Sequence, residues 1–125
     1  MTPEDLPGLV NDDPMLRRWG RFLDADVMLA VGAEEWLLRL RDGAVESIRR
    51  GPFVMPSWTL AIRIEPAAWR DFLSPEPPPG RHDLMALVRG RELRLEGNLH
   101  PFMSHLLWFK AALASLRGAH SESAA

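Results

Sequence analysis

The side chains that could do chemistry in this chain of 125 residues are few and scattered. Four histidines are present, and the lack of cysteine removes disulfides, thiolate metal ligands and a cysteine nucleophile together. His100 and His105 lie five residues apart, so on a helix they do not share the face that an i, i+4 ligand pair uses. A zinc site without thiolates would need further His or acidic ligands from distant segments. Neither a metal nor a cofactor is expected. The acidic pairs Asp12-Asp13 and Glu34-Glu35 are sequence neighbours whose side chains diverge on a helix or strand, which suits end capping or solvation better than paired acid–base work. Ser57, Ser74, Ser104 and Ser115 lack the G-x-S-x-G context of a nucleophile elbow, and there is no glycine-rich phosphate loop. Arg49-Arg50, just before Gly51-Pro52, could grip an anionic headgroup or a CoA phosphate, although a solvated strand end is the simpler reading. No reactive cluster stands out, and the chain is expected not to be an enzyme.

The elements that would position these residues follow from periodicity. Residues 1–11 read as a flexible N-terminal arm, 12–118 as one domain and 119–125 as a disordered polar tail. Asp12 or Asp13 can cap a short helix opened by Pro14, with Met15, Trp19, Phe22 and Leu23 at helical spacing up to about Asp24. Strands are expected at 26–32, 35–41 and 44–50, the last two joined by the hairpin signal Asp42-Gly43. Residues 57–65 alternate most clearly, with Trp58, Leu60, Ile62 and Ile64 on one face. Pro66 opens a helix whose inner face carries Trp69, Phe72 and Leu73, and the proline run at 75–79 can only be a loop. A short helix near 82–89, a strand at 91–96 ending in Gly97 and a long helix at 99–116 complete the order, with Gly118 as its C-cap. Tight turns between neighbouring strands imply an α+β fold with a mainly antiparallel sheet and helices on one face.

The last helix is the informative element. Leu106, Leu107, Trp108 and Phe109 point in almost every direction around its axis, and Lys110 is the only charge between Glu96 and Arg117. A helix that is apolar all round should not face water. Its sheet-facing side is accounted for, and either a bound apolar molecule or a second chain must account for the rest.

The segments EWLLRLRDG, SWTLAIRIEPAAWRDFL and RELRLEGNLHPFMSHLLWF, in this order, resemble the sterol carrier protein-2 family over roughly residues 15–117. The most specific pieces are the Asp42-Gly43 turn and the Leu93-x-Leu95-x-Gly97 strand end; Asn98 stands where the family has Asp, and the proline run replaces the usual loop before the second helix. The resemblance implies a five-stranded, mainly antiparallel sheet with an apolar tunnel beneath the helices, holding a fatty acid, acyl-CoA, sterol or quinone-type lipid. Bacterial members also serve as accessory parts of enzymes. Periodicity and this resemblance together place Trp36, Leu38, Trp58, Leu60, Ile62, Leu93 and Leu95 on the tunnel floor, Trp69, Phe72, Leu84, Met85 and Val88 in a lid, and Phe102, Met103, Leu106 and Phe109 in the roof. The rival expectation is a non-catalytic subunit that docks on an enzyme or on a second copy through its last helix.

Charge and length set the outer bounds. Fifteen basic and seventeen acidic residues leave a net charge of −2, with no basic block to track a nucleic acid. The opening residues lack the basic and apolar regions of a signal peptide, and no apolar run approaches the ~18 residues of a membrane span. With cysteine absent, these features suit a cytoplasmic protein, so lipid transport inside the cell is the expectation.

Overall fold

The structure, a computed structural model, describes residues 2–124, with side chains placed through residue 117. The expected C-cap at Gly118 and tail at 119–125 lie outside the residues whose side chains are described.

Five strands, β1 (Asp24–Val31), β2 (Glu34–Arg41), β3 (Ala44–Arg50), β4 (Leu60–Ile64) and β5 (Leu93–Gly97), form one sheet in the order β3-β2-β1-β4-β5. The hairpin between β2 and β3 is closed by Asp42 and Gly43, at φ 49° and 77°, the left-handed geometry that the Asp-Gly pair supplies. β2 alternates as read from the sequence, with Trp36, Leu38 and Leu40 buried. The expectation of a mainly antiparallel sheet needs correction, because the sheet is mixed. β1 and β4 run parallel at its centre, with Val27 opposite Leu60 and Val31 opposite Ile64. The cause is the connection at 51–59. It leaves edge strand β3, crosses the outer face beside Asp26, Arg39, Ser47 and Arg49, and enters the other side of β1 after Thr59 N–H donates to the Asp26 carbonyl. A tight turn would have forced an antiparallel neighbour, whereas a crossover permits a parallel one. Accordingly Ser57, Trp58 and Thr59 precede β4 rather than belonging to it.

Among the described residues, six α-helices accompany the sheet: α1 (Leu6–Val10), α2 (Pro14–Trp19), α3 (Pro66–Phe72), α4 (Leu84–Arg89), α5 (His100–Ser104) and α6 (Leu106–Ala124). Residues 3–10, expected as a loose arm, make a 3-10 turn and then α1. Leu6 and Val10, one helical turn apart, are fully buried. Asn11 secures this segment to the sheet edge. Its side-chain oxygen accepts from Val45 N–H at 2.8 Å, and its amide donates to the Val45 carbonyl at 3.0 Å. α2 begins where Asp13 accepts from the backbone of Met15 and Leu16, and it stops at Gly20 rather than near Asp24. The single last helix of the sequence reading is divided at His105, whose backbone leaves helical geometry at φ −124° and ψ 36°. The His105 ring holds this break, with one nitrogen 3.1 Å from the Pro101 carbonyl and the other 3.2 Å from the Arg21 carbonyl.

The core lies between the inner sheet face and α1, α2 and α6. Trp108 anchors it. Trp108 is 2% exposed and its indole N–H donates to the Gly43 carbonyl at 3.0 Å. Gly20 makes this possible, since a β-carbon there would stand 2.3 Å from Gly43 Cα and 2.5 Å from the Trp108 ring. The Trp108 side chain that the sequence reading left without a cover is therefore plain core. The outer face is charged. Arg39 pairs with Asp24 at 2.5 Å and approaches Asp26 and Glu46, while Met28, Ala30 and Ala61 are buried beneath.

Candidate functional site: two sides of the last helix

Helix α6 has an apolar space on each side. Towards the sheet, Trp108, Phe109, Ala112 and Leu113 face Val27, Leu29, Leu38, Leu40 and Ile62, with Leu6 closing one end. This seam exposes apolar surface only, and its free volume is about 20 Å³. That is room for about one water molecule, and the lining offers a water nothing to bond. Phe102 and Phe109 fill the space further, with ring centres 5.0 Å apart.

Away from the sheet, α6 forms one wall of a cleft of about 260 Å³. Leu107, Ala111 and Ala114 supply that wall; Phe72 of α3, Leu84 of α4 and Trp19 of α2 supply the others. The cleft exists because α6 presents alanines here, at spacings that keep them on one face, where larger residues would meet α4. Its rim is polar. Lys110 Nζ lies 3.3 Å from Asp83, and His82 stands beside them. Asp83 also caps α4 through Met85 N–H at 3.2 Å. Two apolar side chains of the lining stay in water: Leu107 is 59% and Trp19 37% exposed. Trp19 also borders a shallow surface hollow with Met15 and Arg18.

The far wall is held by arginines. Arg117 donates from Nε to the Phe72 carbonyl at 2.7 Å and from a terminal nitrogen to the His82 carbonyl at 3.1 Å, with its guanidinium over the Phe72 ring. Burial lowers its pKa from the usual guanidinium value. Arg81 ties the loop after the proline run to α3 and to the residue before β5, donating to Glu92 and, at 2.6 Å, to Asp71. Those two hydrogen bonds, Glu92 first, raise its pKa. α3 and α4 are thus tethered at their ends while their cleft faces are lined by hydrocarbon.

Of the residues expected to form the site, Leu38, Ile62 and Phe109 line the seam, and Phe72 and Leu84 line the cleft. Leu60, Leu93 and Phe102 are buried in the same core. Trp36 is buried too, but beside Glu4, whose carboxylate its indole approaches at 3.4 Å. Trp69 stacks on Phe72, and Met85, Val88, Leu95 and Leu106 are partly buried against the core. Trp58 covers the end of β5, its ring against Gly97. Met103 is 52% exposed on α5 and lines neither space. The sequence reading missed Trp19, Leu107, Ala111 and Ala114. By its spacing Trp19 reads as part of a helix face, Leu107 reads as needing a cover but without a place in the roof, and alanines give no signal that they frame a void. Among the described residues no three His, Asp or Glu side chains come together as a metal site, and no helix is long and apolar enough to cross a membrane.

Solved structures share this overall arrangement of one five-stranded sheet and its helices. A sterol carrier protein 2 superposes with a TM-score of 0.76 at 15% identity, covering 92% of each chain. The chain has an SCP-2-like fold. A conserved hypothetical protein from Thermus thermophilus, suggested to be a sterol carrier protein, gives 0.68 at 16% identity over 91% of this chain and 85% of that one. The UbiJ-SCP2 ubiquinone synthesis protein gives 0.57 at 14% identity over 86% and 88%. Neither a protein-family model nor a curated protein sequence matches the chain. Of the departures seen in the sequence, the proline run lies in the connection between α3 and α4, and Asn98 accepts from His100 N–H at 3.1 Å at the entry to α5.

Proposed function

We propose that this chain binds and carries a slim apolar molecule of lipid type and performs no chemistry on it. The carrying observation is the cleft between α2, α3, α4 and α6: hydrocarbon walls, a polar rim where Lys110 is paired with Asp83, and an SCP-2-like frame around it. The tail lies against Trp19, Phe72, Leu84 and Ala111, and an anionic or polar head stays at the rim beside Lys110 and His82. Each methylene withdrawn from water contributes about 0.8 kcal/mol. The volume of about 260 Å³ falls just under the roughly 300–1,000 Å³ of pockets for drug-sized ligands, which favours a single acyl chain over a fused ring system. A sheet-side tunnel, with a volume of about 20 Å³, accepts a chain only after α6 shifts outward. The fatty-acid class therefore fits better than sterols, acyl-CoA or quinones.

The test is native mass spectrometry of the purified protein, with extraction and identification of what is released, followed by titration with saturated fatty acids of increasing length. A near-stoichiometric fatty acid, or micromolar binding that tightens roughly tenfold for every two added carbons, is the expected result. An empty protein that binds no fatty acid, acyl-CoA, sterol or quinone would contradict the proposal.

A further inference from the structure

The outer face of the sheet carries a second arrangement that lipid binding leaves unused. Arg63 of β4 and Arg94 of β5 are direct cross-strand partners, and both project away from the core because Ile62, Ile64, Leu93 and Leu95 point into it. Like charges set directly opposite one another destabilise a sheet unless something neutralises them. Glu96 answers Arg63, at 2.8 Å. Among the described residues, Arg94 forms no ion pair, and neither does Arg91, which follows α4 in left-handed geometry at φ 59°. All three arginines line one open groove of about 410 Å³. Glu92 also lines it, but its carboxylate is engaged by Arg81, which leaves Glu65 as the one acid of the lining without such a partner. The groove surface is mainly polar, the reverse of the cleft beside α6.

We propose that this groove is an anion site for a phosphate-class group carried by a small molecule or a lipid headgroup. Arginine presents a planar fork that matches phosphate oxygens, two bonds at a time. A tetrahedral dianion offers oxygens to Arg91 and Arg94 together, and Arg63 adds charge from behind its bond to Glu96. A carboxylate has two oxygens and one charge, and it serves a single fork. The groove opens on the opposite side of the sheet from the lipid cleft, so the two sites are occupied independently.

The experiment is a titration of the full-length protein, followed by amide NMR, with inorganic phosphate, pyrophosphate and sodium chloride at matched ionic strength. A second arm uses phosphatidylglycerol vesicles in a flotation assay. Shifts that saturate at residues 63, 91 and 94 with pyrophosphate but not with chloride, and that weaken roughly tenfold in Arg94→Gln and in Arg91→Gln, are expected. Arg89→Gln, outside the groove, should leave them unchanged. Flotation that requires Arg94 and is displaced by pyrophosphate identifies a headgroup as the source; saturation by free pyrophosphate without flotation identifies a soluble phosphate. Shifts spread evenly over surface arginines, or variants that bind as tightly as the parent, would overturn the site. Fatty-acid binding should be the same in all three variants, so a failure of the groove is distinct from a failure of the carrier function.

Discussion

The two sides of α6 are both apolar, yet one is closed and the other open. Towards the sheet, Trp108, Phe109 and Leu113 meet Leu and Ile side chains of three strands and leave about 20 Å³. On the opposite side Ala111 and Ala114 meet α3 and α4 across about 260 Å³. The difference is one of volume rather than polarity. Large side chains on both partners interdigitate to native density, while alanine opposite a tethered helix leaves a gap that the backbone cannot close. A mutation on the sheet side should therefore be read in stability, and one on the cleft side in binding.

The largest effect expected from that contrast is at Trp108. Trp108→Ala removes a buried indole and its bond to Gly43, and should cost about 3–5 kcal/mol, lowering Tm by on the order of 10 °C in a thermal scan. Next comes the cleft. Ala111→Trp fills it, and should weaken fatty-acid binding at least tenfold while changing stability by less than about 1.5 kcal/mol. Equal damage to both properties would erase the distinction between the two sides. Arg81→Gln is smaller and local. Freed from Asp71 and Glu92, residues 74–83 should exchange their amide hydrogens faster while the sheet keeps its protection. The smallest effect is the pH dependence of the outer face. The hydrogen bond from Arg63, helped by the nearby Arg94 charge, holds Glu96 below the usual carboxylate pKa. Because the folded pKa is depressed, its contribution is complete above the unfolded carboxylate value and disappears as pH falls through the folded one. Arg63→Gln should remove that slope from an acid titration of stability, and an unchanged slope would mean that the exposed pair contributes nothing.

Much of the frame was legible in the sequence, because one-sided burial writes itself as alternation. β2 and β3 came with their turn, and the inward set Leu60, Ile62 and Ile64 was correct. Neighbour order was not legible. Alternation states which face of a strand is buried and says nothing about whether β4 lies beside β3 or β1, so the parallel pair was missed. The helical turn at Leu6 and Val10 was hidden by flanking prolines that read as an arm. The break at His105 depends on a carbonyl of Arg21, eighty-four residues away, which local periodicity cannot contain. For the site, the excess of apolar surface on the last helix pointed to its most apolar face, which is the filled one. The open face is marked by alanines, whose small size is the whole signal.

The most direct test of the carrier account is where a bound chain sits relative to α6. A ¹³C-labelled fatty acid, with nuclear Overhauser contacts assigned to methyl groups of the protein, decides it. The account predicts contacts to Ala111, Ala114 and Leu84. Contacts confined to Val27, Ala112 and Leu113 would place the ligand on the sheet side and contradict the cleft, and a saturated mixture without any protein contact would contradict binding altogether.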